Sequence, residues 1–268
     1  MYKKIDKKIG VFDSGIGGVT VLREIIKLLP NEEYIYYSDS KNLPYGSKSD
    51  LDLIQICEKI VDFLISKNCQ IIVIACNTAS AKTVDYLRKK YKDIIFIAIE
   101  PAYKMVYDSK ENGETLVMAT KGTMESEKFH MLLEKYSSKE IKTYLVPCEG
   151  LADKIEEGSK EEILENLKQN IGKYKGKVKN VVLGCTHYPL AINEIKQVLG
   201  KIKCFEGSRN IAIHLKDILE KSNKDIKNND IINNKYSKNT NITFIDSLGL
   251  EKKKKRFFEI LEKENKKI

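Results

Sequence analysis

Cys76 and Cys185 are the residues whose setting points most directly to chemistry. Each closes a short, almost wholly apolar run, Ile71-Ile72-Val73-Ile74-Ala75 in one case and Val181-Val182-Leu183-Gly184 in the other. Each is followed by hydroxyl- or amide-bearing residues, Asn77-Thr78 and Thr186-His187. A thiol gives a proton and a thiolate takes one, so two cysteines at one site make an acid–base pair. A single buried cysteine is more often a packing residue. Two of them, with polar followers at matching places, predict two thiols aimed into one site.

The elements that must hold them follow from the pattern. A continuous branched-aliphatic run reads as a strand buried on both faces of a parallel sheet, and ligands of such sheets bind beyond the carboxyl ends of the strands. Both cysteines fall there. Strands are predicted at 8–12, 34–38, 71–75, 94–98, 115–119, 141–146, 179–183 and 242–245, mostly separated by helix-period segments, which makes the fold class α/β with mostly parallel sheets. Within 50–67, Ile54, Cys57, Val61, Leu64 and Ile65 recur at helical spacing, so Cys57 is a core residue; Cys69 and Cys204 lack polar followers and take the same reading. The segments Val11-Phe12-Asp13-Ser14-Gly15 and Val117-Met118-Ala119-Thr120 both run from a strand into a loop. The offset from Ser14 to Thr120 is close to that from Cys76 to Cys185, as two similar α/β halves would produce. The Asn- and Lys-rich stretch 221–241 reads as a surface connection without chemistry.

Length and composition set the outer bounds. The 268 residues are 42% hydrophobic and 32% charged, enough for a sizeable core in one large or two small domains. Met1-Tyr2-Lys3-Lys4 leads into polar sequence with no signal-like or membrane-spanning run, so a cytoplasmic location and no membrane partner are expected. The six cysteines form no C-x-x-C and no Cys/His cluster of zinc geometry, so no metal is expected. A net charge of +9 invites a nucleic-acid reading, but the lysines are spread and interleaved with glutamates. Solvated surface is the preferred reading. The dense run at 252–256, ahead of Phe257-Phe258, is the one place for an anionic partner.

Two loops remain. Asp13-Ser14-Gly15-Ile16-Gly17-Gly18 joins a strand to a helix at 19–29; its glycines let backbone approach a ligand, and the helix start offers N–H groups to a carboxylate or phosphate. The packing alternative is a tight turn with Asp13 or Ser14 as helix cap. Neither G-x-G-x-x-G nor G-K-[ST] is present, so a nucleotide site is not supported. Asn42-Leu43-Pro44-Tyr45-Gly46 is a turn by composition, able to present the Tyr45 hydroxyl and the Gly46 amide to a ligand.

Taken in order, Asp13-Ser14-Gly15-Ile16-Gly17-Gly18, Pro44-Tyr45-Gly46, Cys76-Asn77-Thr78-Ala79, Ala119-Thr120-x-Gly122-Thr123 and Gly184-Cys185-Thr186-His187-Tyr188-Pro189-Leu190 resemble the glutamate racemase family over roughly residues 8–206. The resemblance implies two pseudo-symmetric α/β domains with the active site in the cleft between them. On that reading residues 1–98 form a first domain carrying Asp13 and Cys76, 99–206 a second carrying Thr120 and Cys185, and 207–268 a segment returning to the first. It implies a cofactor-independent racemase that interconverts L- and D-glutamate for peptidoglycan synthesis, commonly as a homodimer. Its catalytic residues would be Cys76 and Cys185, assisted by Asp13 on the first side and by His187 and Glu156 on the second. Its substrate pocket would be Ser14, Pro44, Tyr45, Gly46, Asn77, Thr78, Thr120, Thr123 and Thr186.

Elementary chemistry agrees, because inverting a stereocentre by proton exchange needs a base on one face of the carbon and an acid on the other. Without an electron sink the carbanion must be stabilised by fixed donors in a water-poor cleft. The chain departs from the family pattern at Cys148-Glu149-Gly150-Leu151-Ala152, at Glu206-Gly207-Ser208 and at Phe244-Ile245-Asp246. The rivals are an aspartate racemase of the same superfamily and, in another class, a basic nucleic-acid-binding module.

Overall fold

The computed structural model describes residues 8–110, 113–136, 142–222 and 240–263. The chain begins with β1 (Lys8–Asp13), α1 (Val19–Leu28), β2 (Glu33–Ser38), α2 (Asp50–Ser66), β3 (Cys69–Ile74), α3 (Asn77–Lys90) and β4 (Ile95–Ala98). It continues with α4 (Tyr103–Ser109), β5 (Thr115–Ala119), α5 (Lys121–Met124), α6 (Glu127–Tyr136), β6 (Thr143–Pro147), α7 (Leu151–Glu157), α8 (Lys160–Ile171), β7 (Asn180–Gly184), α9 (Ile192–Leu199) and β8 (Lys203–Phe205). It closes with α10 (Ser208–Ser222), β9 (Asn241–Asp246) and α11 (Glu251–Lys263).

The strands form two parallel sheets, ordered β4-β3-β1-β2-β9 and β6-β5-β7-β8. Helices cover both faces, which is why the central strands are apolar on both sides: Val11, Phe12, Ile72, Val73, Val181 and Val182 are all fully buried. Separate apolar clusters lie under each sheet. All eight predicted strands are present within a residue or two of their expected bounds, although residue 141 lies outside the described residues. β8, only three residues long, was not anticipated, because so short a run carries no periodicity. Most of the 221–241 stretch (223–239) and the Met1–Lys4 segment lie outside the described residues.

Local rules explain the frame. α2 starts at Ser49, whose side chain accepts the Asp52 N–H, and buries Leu53, Cys57, Ile60, Val61 and Leu64 at helical spacing. Cys57, on α2 as its helical spacing predicts, and Cys69, which lacks polar followers, pack in one apolar layer, and Cys204 is half-buried at the rim of the second core. The two sheets also repeat one arrangement. β1 lies beside β3 in the first and β5 beside β7 in the second, so Asp13 and Cys76 emerge from neighbouring strand ends, and so do Thr120 and Cys185. Among the described residues no helix is long and apolar enough to cross a membrane.

Candidate active site

β3 ends into Cys76, whose extended backbone feeds α3, and β7 ends into Cys185. Both cysteines are almost closed off, at 6% and 7% exposure, and Cys185 is near enough for its charge to be felt at Cys76. Around them the glycine loop (residues 14–18), the β7–α9 loop and the end of α7 meet. The meeting is intimate. A Cβ placed on Gly17 would lie 2.4 Å from His187 Nδ1, and one on Gly15 would lie 2.7 Å from a Glu156 oxygen. These glycines therefore exist so that the first sheet's loop can touch the second sheet's catalytic candidates, a contact that any side chain would block.

On the Cys185 side three residues form a relay. His187 Nδ1 sits 3.8 Å from Cys185 Sγ, and His187 Nε2 sits 2.6 Å from Glu156 Oε2, with both His187 and Glu156 buried. Burial alone would disfavour the imidazolium, but hydrogen bonds and charge from Cys185 and Glu156 outweigh it and hold the His187 pKa well above its ordinary value. Burial would likewise raise Glu156; the hydrogen bond and charge of His187, then those of Lys253, overcome it and bring the carboxyl down to about 2. Glu156 also accepts the Ile16 N–H at 3.1 Å. The carboxylate that the glycine loop receives is thus the protein's own.

The Cys76 side is built differently. Burial pushes the Cys76 thiol well up, Asp13 and Cys185 push the same way, and only the Ala79 N–H and Ser14 oppose. Cys76 Sγ lies 3.9 Å from Ser14 Oγ. Asp13 is itself raised, chiefly by burial and against the pull of the His187 charge and the Gly18 N–H. Its Oδ2 accepts the Gly18 N–H at 2.7 Å and the Thr186 hydroxyl at 3.2 Å, so Thr186 ties the β7 loop to the end of β1. α1 starts at Gly18 without a side-chain cap from Ser14, and Asp13 serves only by receiving that N–H. Asp13 Oδ1 and Asn77 Oδ1 are both buried without a hydrogen-bond partner, two acceptors beside Cys76.

A third group lies across the site. The hydroxyls of Thr78, Thr120 and Thr123 stand 2.8, 2.9 and 3.2 Å from one another, Thr78 on α3 and the other two at the start of α5. The Pro44-Tyr45-Gly46 turn packs onto this cluster: a Cβ on Gly46 would meet Thr120 at 3.1 Å, and one on Gly122 would meet the Gly46 carbonyl at 2.8 Å. The Tyr45 hydroxyl has a partner within the protein. It donates to Asp39 Oδ2 at 2.7 Å in the buried interior.

The structure brings these sequence-predicted residues together and adds two neighbours that the sequence reading missed. Lys253 Nζ lies 2.9 Å from Glu156 Oε1, and Arg256 donates to the carbonyls of Ile155, at 2.5 Å, and Glu156. Both belong to the 252–256 run that had suggested an anionic partner. The only available signal was their place in an amphipathic helix. Among the described residues no three His, Cys, Asp or Glu side chains gather with metal-binding geometry. A groove of about 1140 Å³ opens elsewhere, between α3, α4, α6 and α10, and neither cysteine lines it.

Comparison with known proteins places this arrangement. The family profile described as Asp/Glu/Hydantoin racemase matches residues 9–210. A glutamate racemase of Clostridium perfringens (strain SM101 / Type A) is 42% identical over 219 residues, 80% of this chain and 84% of that protein. One of Clostridium botulinum (strain Alaska E43 / Type E3) is 40% identical over 253 residues, 93% and 95% of the two chains. The crystal structure of glutamate racemase from Francisella tularensis in complex with D-glutamate superposes with a TM-score of 0.76 at 29% identity, covering 96% of this chain and 94% of that one. The chain, an amino-acid racemase by this kinship, belongs to the Asp/Glu/Hydantoin racemase family, within its glutamate racemase group.

Proposed function

We propose that the protein interconverts L- and D-glutamate without a cofactor, Cys76 and Cys185 exchanging the α-proton from opposite faces, and so supplies D-glutamate for peptidoglycan. The observation that carries this is the unlike pair of thiols at matching strand ends, one beside the His187–Glu156 relay and the other beside Asp13 and Ser14. The relative that superposes on the chain was crystallised with D-glutamate.

In one direction the thiolate of one cysteine takes the α-hydrogen, the C–H electrons pass to the carbon, and the opposite thiol gives its proton to the other face. The reverse direction exchanges the roles. The His187 imidazolium stabilises negative charge on Cys185, and Asp13, raised toward its neutral form, supports the opposite thiol. The unpartnered Asp13 Oδ1 and Asn77 Oδ1 accept from the substrate ammonium. The Thr78–Thr120–Thr123 hydroxyls and the Gly46 backbone receive a carboxylate. Burial of both sulfurs excludes water, so these dipoles act at full strength on the developing carbanion.

The test is an assay of the purified protein with glutamate and aspartate, following optical rotation and α-proton exchange with deuterium oxide. Racemisation of glutamate is expected. Exchange with aspartate alone would overturn the substrate assignment.

A further inference from the structure

α11 carries a lysine where its own pattern asks for an apolar residue. Lys253, Phe257 and Leu261 recur four apart and are 5%, 0% and 8% exposed, while Lys252, Lys254 and Lys255 face solvent. Phe257 is anchored on Tyr36, with ring centroids 4.6 Å apart, and the Tyr36 hydroxyl holds the Gly15 carbonyl at 2.8 Å. An apolar side chain at 253 would extend this stripe at no electrostatic cost, whereas a buried ammonium is costly unless fully paired. Its partners show what it holds. Lys253 Nζ reaches Glu156 Oε1 at 2.9 Å, Ser40 Oγ at 2.9 Å and Glu157 at 3.8 Å.

The two oxygens of Glu156 take different side chains. Oε1 is held by Lys253 and Oε2 by His187 Nε2 at 2.6 Å, while the Ile16 N–H reaches both, at 3.3 and 3.1 Å. Arg256, one turn on, fixes the backbone beneath the same carboxylate through the carbonyls of Ile155 and Glu156. We infer that Lys253, backed by Arg256, is a positioning residue for the Cys185–His187 pair: from the C-terminal helix it orients Glu156, which orients the imidazole that faces the thiol. The reaction it serves is the one proposed above, and the inference rests on that reading to this extent only.

The alternative is a brace that merely pins α11 to α7, and a pH profile separates the two. The charged and titratable groups facing the Glu156–His187 pair are Asp13 from β1, Tyr36 from β2, Asp153 and Glu157 from α7, Cys185 just after β7, and Lys253 and Arg256 from α11. Removing one cation from this set makes each nearby deprotonated form less favourable, so thiolate formation at Cys185 must move to higher pH.

The experiment uses the full chain with Lys253→Met, Lys253→Gln and Lys253→Arg. Lys253→Gln keeps hydrogen-bonding capacity without charge, in case the methionine variant fails to fold. Alkylation of Cys185 by iodoacetamide is followed against pH in a Cys76→Ala background, with the labelled peptide identified by mass spectrometry. Glutamate kcat and KM are measured with Cys76 intact. The uncharged variants should shift the alkylation midpoint up by roughly 0.5–1 pH unit and lower kcat about tenfold with KM little changed, the scale on which partners that orient a functional histidine act. Lys253→Arg should restore the midpoint. An unchanged midpoint in a folded uncharged variant, even with a lowered melting temperature, would overturn the inference, as would a loss confined to KM. If the unmodified protein fails to racemise glutamate while the midpoint still shifts, the substrate reading falls and the positioning role stands.

Discussion

The two thiols stand at equivalent places in equivalent sheets, yet their surroundings are opposite in character. Cys185 faces a buried cation held by a buried anion, the His187–Glu156 relay, and that anion is clamped in turn by Lys253 and the Ile16 N–H. Cys76 faces groups that disfavour its charge: burial first, then Asp13 and the other cysteine. A duplicated frame thus presents two like nucleophiles, while the loops and the C-terminal helix make them unlike. One thiol stands beside a buried cation and the other beside groups that disfavour its thiolate, so the two directions of proton exchange start from unlike surroundings.

The comparison breaks most completely if either sulfur is removed. Cys76→Ala and Cys185→Ala should each cut racemisation in both directions by about 10²–10⁴-fold while leaving the circular dichroism of the folded chain unchanged. Substantial turnover in either would show that the two sides are not partners. A finer cut removes the assistants. His187→Asn and Asp13→Asn should each slow the reaction by roughly 10²-fold, with unequal losses for L- and D-glutamate as substrates, since each residue serves one thiol. Equal losses would mean that both act on a common step.

The contact between the sides is open to a structural test. Gly17→Ala drives a methyl group into the His187 ring and should destabilise the fold by roughly 1–3 kcal/mol, read from the denaturant midpoint. Gly172→Ala, with nothing within 4 Å of its new carbon, should leave the midpoint unchanged or slightly raised. The smallest effect is in the pH dependence of stability. Glu156 is depressed to about 2, so its contribution is present above the ordinary carboxyl range and is lost as pH falls toward 2. His187 is raised, so its contribution is complete below its ordinary pKa and is lost as pH climbs through the raised value. Thermal melts should therefore show greatest stability between those limits, and His187→Asn should flatten both edges.

Much of the frame was legible because it is written in short-range pattern. Aliphatic runs gave the strands, and the residues following Cys76 and Cys185 placed both at strand ends. What was not legible depends on distant chain segments meeting. The glycines at 15 and 17 looked like a ligand-facing loop, but their nearest neighbours are Glu156 and His187, more than a hundred residues away. The Tyr45 hydroxyl looked available and is committed to Asp39. The basic run at 252–256 looked like a surface patch, because sequence gives a lysine no sign of burial; only the packing of Phe257 on Tyr36 turns Lys253 inward.

The most direct measurement follows single turnovers of L-glutamate in deuterium oxide, with both product and recovered substrate examined by mass spectrometry. If two thiols act from opposite faces, the first D-glutamate formed carries solvent deuterium at the α-carbon while unreacted L-glutamate keeps its protium. Product that retains the original hydrogen, or substrate that gains deuterium without inversion, would mean that one group works alone.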